Sequence, residues 1–163
     1  MALIELQLIV NQLPHQIKTK PNRTLLEILR EDIGLTSVKE GCGQGDCGSC
    51  IVVMNGMAVN SCLVLAGQSD GAEIITLEGL EERGELHPLQ RNFAEKWAFQ
   101  CGFCSSGMIM SCYALLLHNP SPTEDEVRKA IEGNLCRCTS YHGVINAVMA
   151  TVNELKSLPK ERK

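Results

Sequence analysis

Residues 38–50 read VKEGCGQGDCGSC. Three cysteines, Cys42, Cys47 and Cys50, stand among four glycines, Gly41, Gly43, Gly45 and Gly48. Thiolates set this close together can converge on one small anionic centre. Glycine tolerates φ > 0 and lets backbone approach without a Cβ clash, so the loop can wrap tightly. Successive N–H groups turned inward form a nest that offsets negative charge. The loop thus calls for a centre to enclose and for a scaffold that fixes its ends.

Composition narrows what that centre is. The chain has nine cysteines in 163 residues. Net charge is −4, with no long run of like charge, so the basic footprint of a nucleic-acid binder is missing. No run of about 18 apolar residues exists, so no membrane span is expected. The opening MALIELQLIVNQ carries Glu5 and Gln7 inside its apolar stretch and does not read as a secretory signal. The expected compartment is the cytoplasm. Thiols stay reduced there, and grouped cysteines point to metal or catalysis rather than disulfides. Aromatic residues are 4% of the chain, so the core is expected to be aliphatic.

The two halves differ in pattern. Residues 3–10 alternate, with Ile4, Leu6, Leu8 and Val10 on one strand face. A turn at 11–14 leads to a second strand near 16–18. Thr24 and Glu27 fit a capping box, and Leu25, Ile28 and Leu29 give a short helix its apolar side; Gly34 ends it. The run IVVM (51–54), the turn pair Asn55-Gly56 and MAVN (57–60) predict a hairpin, with one more strand at 73–77. Residues 1–78 thus predict a mixed sheet crossed by a short helix, and 79–87 read as a polar linker. From 88 onward only helices are predicted, at 88–98, 105–118, 123–132 and 141–156. The second carries Met108, Ile109, Cys112, Leu115 and Leu116 at helical spacing, and the third opens on a Thr123–Glu126 capping box. The tail from Ser157 is expected to fray.

Eight cysteines fall into two sets. Cys42-x4-Cys47-x2-Cys50, followed by Cys62 beyond the hairpin, has the spacing of a plant-type [2Fe-2S] loop. Zinc knuckles favour C-x2-C pairs at both ends, and here only one exists. The second set, Cys101-x2-Cys104 with Cys136-x-Cys138, is less specific. Its pairs could hold a second cluster or zinc, the latter with His142 nearby, while a redox C-x-x-C lacks a βαβ setting. Each pair precedes a predicted helix, whose free N–H groups and positive end suit an anionic cluster. Cys112, on the apolar stripe, reads as core. His15, His87, His118 and His142 read as surface residues, Glu124–Glu126 as first-turn helix charges, and Trp97 and Phe99 as core or interface. No carboxylate pair suggests acid–base catalysis.

VKEGCGQGDCGSC, QCGFCSSGM (100–108) and GNLCRCTSY (133–141) together resemble the small iron–sulfur subunit of the molybdenum hydroxylases. These include xanthine dehydrogenase, aldehyde oxidoreductase, carbon monoxide dehydrogenase and nicotinate dehydrogenase. The resemblance spans nearly the whole chain. It implies an α+β fold: a ferredoxin-like β-grasp domain, then an all-α four-helix bundle. It also implies two [2Fe-2S] clusters, the solvent-side one on Cys42, Cys47, Cys50 and Cys62, the buried one on Cys101, Cys104, Cys136 and Cys138. Gln100 and Cys138 match positions that contact molybdopterin. The implied partners are a large molybdopterin subunit and a medium FAD subunit, in a dimer of heterotrimers, and the chain would do no substrate chemistry itself. Two stretches depart from the family pattern. Ser105-Ser106 replace Thr-Pro, and Ser140-Tyr141 replace Gly-Tyr, with Ser140 able to serve as an N-cap. The other readings the cysteines allow are a free-standing ferredoxin-like carrier, with a polar surface throughout, and a zinc-bound structural protein.

Overall fold

The computed structural model describes residues 2–138 and 141–157. Strand β1 (Ile4–Val10) pairs antiparallel with β2 (Leu13–Thr19), and β3 (Ile51–Met54) with β4 (Met57–Asn60). Strand β5 (Glu73–Ile75) lies between the hairpins, parallel to β1 and antiparallel to β3, giving one mixed sheet of order β2-β1-β5-β3-β4. The first turn is tighter than its sequence suggested: only Asn11 and Gln12 form it, both at positive φ. Pro14 lies inside β2, opposite Ile9. It fits because β2 is an edge strand and can spare an N–H.

The Thr24 capping box forms in full, with Glu27 N–H bonded to Thr24 Oγ1 and Thr24 N–H to Glu27 Oε2. It opens α1 (Leu25–Glu27), which widens into a π-type turn over Ile28–Asp32. Leu25, Leu26, Ile28 and Leu29 lie against Leu6, Leu8, Val10 and Ile74 as one aliphatic core.

Four helices follow: α2 (Pro88–Glu95), α3 (Ser105–His118), α4 (Glu124–Ala130) and α5 (Tyr141–Ser157). Helix α2 packs on α3 and α5, and α4 on α3 and α5. Their core joins Leu89, Phe93, Met108, Val127, Val144 and Val148; Cys112 is fully buried there, as its place on the stripe predicted. Ser140 and the tail beyond Ser157 lie outside the described residues.

Strand β3 shows how the halves meet. Val52 belongs to the first core and Val53 to the second. A strand covered on both faces has no need of polar alternation, which accounts for the apolar run IVVM. Leu80, in the expected linker, is also buried in the second core, and the turn beyond it closes through paired Glu82–Glu85 hydrogen bonds. Two expectations for the second half need correction. Helix α2 ends at Glu95 rather than 98, because Trp97 turns to φ +52°. Trp97 is not core but 84% exposed, and Phe99 is exposed as well.

Candidate functional site

The 38–50 loop is tied at its base. The Arg30 guanidinium donates to the carbonyls of Thr36 (3.1 Å) and Val38 (2.5 Å), and Lys39 N–H to Ser49 O (3.2 Å). Positive φ at Gly43, Gly45 and Gly48 then curls the chain around its sulfurs. Amides turn inward as a nest requires: Asp46 N–H lies 3.2 Å and Gln44 N–H 3.5 Å from Cys42 Sγ. Hydrogen bonds from the backbones of Gln44 and Cys47 lead in drawing the Cys42 thiol down to about 7. The cradle is close on its other walls too. A Cβ on Gly41 would sit 2.7 Å from Cys47 Sγ. Cys62, carried back by the hairpin, is buried beside Cys50; burial and the Cys50 contact push its thiol up to about 11.

The second set gathers from two loops. Cys104 is the residue before α3, and Cys136 and Cys138 come shortly before α5. Cys138 Sγ lies 3.5 Å from Cys101 Sγ. Of these two, Cys101 ionises first, because the Phe103 N–H points at it and Cys138 donates to it. Burial, with the neighbouring Cys136 thiol, raises Cys104 to about 12. Tyr141, at the start of α5, braces the loop: its hydroxyl donates to Asn134 O (2.8 Å) and accepts from Cys136 N–H (3.2 Å).

Eight thiols thus stand as four couples: 42 with 47, 50 with 62, 101 with 138, and 104 with 136. Thiols grouped by twos match a dinuclear centre, in which each iron takes two thiolates, and the inward amides suit its negative charge. The residues therefore fit two [2Fe-2S] clusters. Gln100, adjacent to Cys101, is exposed.

Side chains of both sets line one cleft of about 300 Å³, among them Cys42, Cys47, Cys101, Cys104, Cys136 and Cys138. Leu135 N–H donates to Cys47 O (3.0 Å), which links the two sets directly. Asn134 was missed from the sequence. Only 1% exposed, it donates to Gly48 O (3.1 Å) and accepts from Ser111 Oγ (2.8 Å). Its one sequence signal is a pair of glycines, Gly48, whose carbonyl it holds, and Gly107, which leaves room for that carbonyl. A Cβ on Gly48 would meet Gly133 O at 2.5 Å, and one on Gly107 would meet Gly48 O at 2.0 Å. A glycine inside a helix, as Gly107 is, marks close packing.

The histidines are only partly the surface residues expected. His142 is exposed and His15 half-buried, and His118 Nε2 lies 2.9 Å from Gly56 O. His87 is half-buried, accepts the Leu89 N–H at Nδ1 (3.1 Å) as N-cap of α2, and meets the Tyr113 ring edge-on.

Residues 8–79 match the family described as the 2Fe-2S iron-sulfur cluster binding domain, and residues 76–149 the [2Fe-2S] binding domain. The nicotinate dehydrogenase small FeS subunit of Eubacterium barkeri is 51% identical over 93% of this chain and 97% of that protein. The chain belongs to the family of small iron–sulfur subunits of the molybdenum hydroxylases. It is a component of an oxidoreductase complex, with no substrate chemistry of its own. The nicotine 6-hydroxylase small subunit of Paenarthrobacter nicotinovorans is 47% identical over 90% of this chain and 88% of that subunit. Among solved structures, quinoline 2-oxidoreductase of Pseudomonas putida 86 superposes with a TM-score of 0.91 at 40% identity, covering 96% of this chain and 98% of that one. Aldehyde oxidoreductase of Desulfovibrio desulfuricans gives 0.90 at 39% identity over 96% of this chain, but this match is only 17% of that longer polypeptide.

Proposed function

We propose that this subunit carries electrons from a molybdopterin site in a large subunit to FAD in a medium subunit, within a cytoplasmic hydroxylase of N-heterocycles, purines, aldehydes or similar compounds. Its metal ligands are Cys42, Cys47, Cys50 and Cys62 in a β-grasp domain (1–78), and Cys101, Cys104, Cys136 and Cys138 in a four-helix bundle (88–163), joined by 79–87. When bound, each [2Fe-2S] cluster supplies a centre that accepts one electron at a time. The chain's own part is to hold the two sites in register and to direct amides at their sulfurs. The single observation that carries this reading is the four couples of thiols, sorted into two sets that share the Cys47–Leu135 hydrogen bond.

Surface character favours a fixed partner over a free carrier. Cys101 and Cys138 are exposed, exposed Phe103 and Leu135 line the same cleft, and exposed Trp97 and Phe99 stand a few residues before Cys101 in the chain. A carrier meeting many partners keeps a polar face, whereas an apolar rim marks an interface. In the aldehyde oxidoreductase this fold is one sixth of a longer chain, so a separate large subunit is the natural cover here. Gln100 and Cys138, at that mouth, are the proposed pterin contacts. The assembly proposed is a dimer of heterotrimers.

The test is anaerobic reconstitution with iron, sulfide and zinc analysis and EPR of the reduced chain. About four irons and four sulfides, with two S = 1/2 signals, is the expected result. One signal with zinc in the remaining cysteines would sink the two-cluster path. Capture of the molybdenum and flavin subunits by the loaded chain tests the rest.

A further inference from the structure

Helix α3 runs for 14 residues, and Cys104, a proposed ligand, is its N-cap. The next two residues are serines, where the family pattern has Thr-Pro. Both are buried, Ser105 at 9% and Ser106 at 4% exposure. Among the described residues neither hydroxyl has a hydrogen-bond partner. A buried hydroxyl left unpaired is unfavourable, and alanine at these positions would remove that loss and favour the helix. The pair is therefore poorly explained by packing alone.

The surroundings indicate what the hydroxyls serve. A serine deep in a helix can donate to the carbonyl four residues back, but Ser105 and Ser106 open α3, and four residues back lie Cys101 and Gly102, outside the helix. The first helical hydrogen bond is Met108 N–H to Cys104 O, so among the described residues the amides of Ser105, Ser106 and Gly107 have no partner within the helix. The N-terminal turn is also pressed against the other cysteine loop, since Gly107 leaves no room for a Cβ beside Gly48 O. Free amides, the positive helix end and two unpaired O–H donors thus adjoin the second cysteine set. What that assembly lacks is an acceptor carrying negative charge.

We infer that Ser105 and Ser106 donate O–H···S hydrogen bonds to the cluster held by Cys101, Cys104, Cys136 and Cys138, and so raise its reduction potential. The inference rests on the two-cluster reading above. Hydrogen bonds to cluster sulfurs stabilise the more negative, reduced form, so they favour electron uptake. The serines are positioning and tuning residues, not ligands. A hydroxyl can supply a donor that a proline at the second position cannot.

The experiment compares the full reconstituted chain with Ser105→Ala, Ser106→Ala, the double variant and the hydroxyl-retaining Ser106→Thr. Iron and sulfide content and the two EPR signals are read first. In the double variant one signal, and only one, should titrate at lower potential. The reduced-to-oxidised ratio at the wild-type midpoint should fall about tenfold, equivalent to about 59 mV for one electron. Ser106→Thr should stay near wild type. ENDOR should detect a coupled, fast-exchanging proton on that signal in the wild-type chain that Ser106→Thr keeps and the double variant loses, which separates it from the free first-turn amides that every variant retains. Unmoved midpoints with full iron in every variant would overturn the inference while leaving two clusters intact. So would a wild-type signal without the fast-exchanging proton, which decides the matter even if the alanine variants do not fold. A wild-type chain that takes up zinc and no sulfide would defeat the two-cluster reading itself, and this inference with it.

Discussion

At Gly48 the backbone sits at φ +70°, and a Cβ would lie 2.5 Å from the Gly133 carbonyl oxygen. Gly34 shares the sign of φ, at +86°, but a Cβ there would meet nothing within 4 Å. Alanine at Gly34 should therefore cost only the left-handed penalty, about 1–2 kcal/mol. Alanine at Gly48 adds a clash with backbone and should cost about 2–5 kcal/mol in all. Urea unfolding of the two variants checks this; equal losses would mean that the Gly48–Gly133 approach is not close. His87 makes a second case at this scale. Burial holds its pKa below the usual histidine value, opposed by Glu82 and Glu154 and aided by Arg91. Only the neutral ring can accept the Leu89 N–H at Nδ1. The unfolded chain then binds more protons than the folded one below its own pKa of about 6.5. This contribution to stability is complete above that pH, declines as pH falls below it, and levels off under the folded value. His87→Asn keeps a cap without the titration, so its stability should fall less than wild type between about pH 7.5 and 5.5, while His87→Ala should lose about 1 kcal/mol at neutral pH.

Helix ends show which elements were legible. Thr24 with Glu27 and Thr123 with Glu126 announce their capping boxes, and both form. Asn55-Gly56 closes its hairpin with both residues at positive φ. These signals are short-range, so neighbouring residues suffice to read them. The end of α2 is different. Ala98 N–H bonds Phe93 O and Trp97 N–H bonds Ala94 O, a Schellman motif whose left-handed position is usually glycine. A tryptophan in that place hides the stop signal, because a bulky residue seldom takes the left-handed conformation that Trp97 adopts. Its conformation costs about 1 kcal/mol relative to glycine, and its ring is 84% exposed. Trp97→Gly should thus stabilise the isolated subunit by about 1 kcal/mol in denaturant unfolding. If the indole anchors the large subunit, the same change should weaken capture by 2 kcal/mol or more, about thirtyfold. A variant that gains stability and still captures its partner at full strength would remove Trp97 from the interface.

Across the whole molecule, eight of the nine cysteines could be sorted into two sets because short spacings stand out within each. Their approach to one another could not be read, because it is made by contacts far apart in sequence. Asn134 reaches Gly48 across 86 residues, and in the chain between them only Gly107, a glycine inside a helix, hints at that pairing. Yet this amide, with Leu135 on Cys47 and the bare backbone of Gly107, is what brings one cysteine loop against the other. The halves keep separate apolar cores, and β3 gives Val52 to one and Val53 to the other. Two cores joined through a thin seam unfold together only while the seam holds. Asn134→Ala leaves the Gly48 carbonyl without its side-chain donor and the Ser111 hydroxyl without its acceptor, at about 2–5 kcal/mol. The loss should fall unevenly. Helix α3 carries Ser111 directly, so amides of α3 and α5 should lose hydrogen-exchange protection while those of β1 keep theirs, splitting one cooperative unit into two. Equal loss in both halves would show that the cores are coupled through β3 rather than through Asn134. In that event the spacing of the two cysteine sets is set by the sheet, and Gly48 and Gly107 only make room for it.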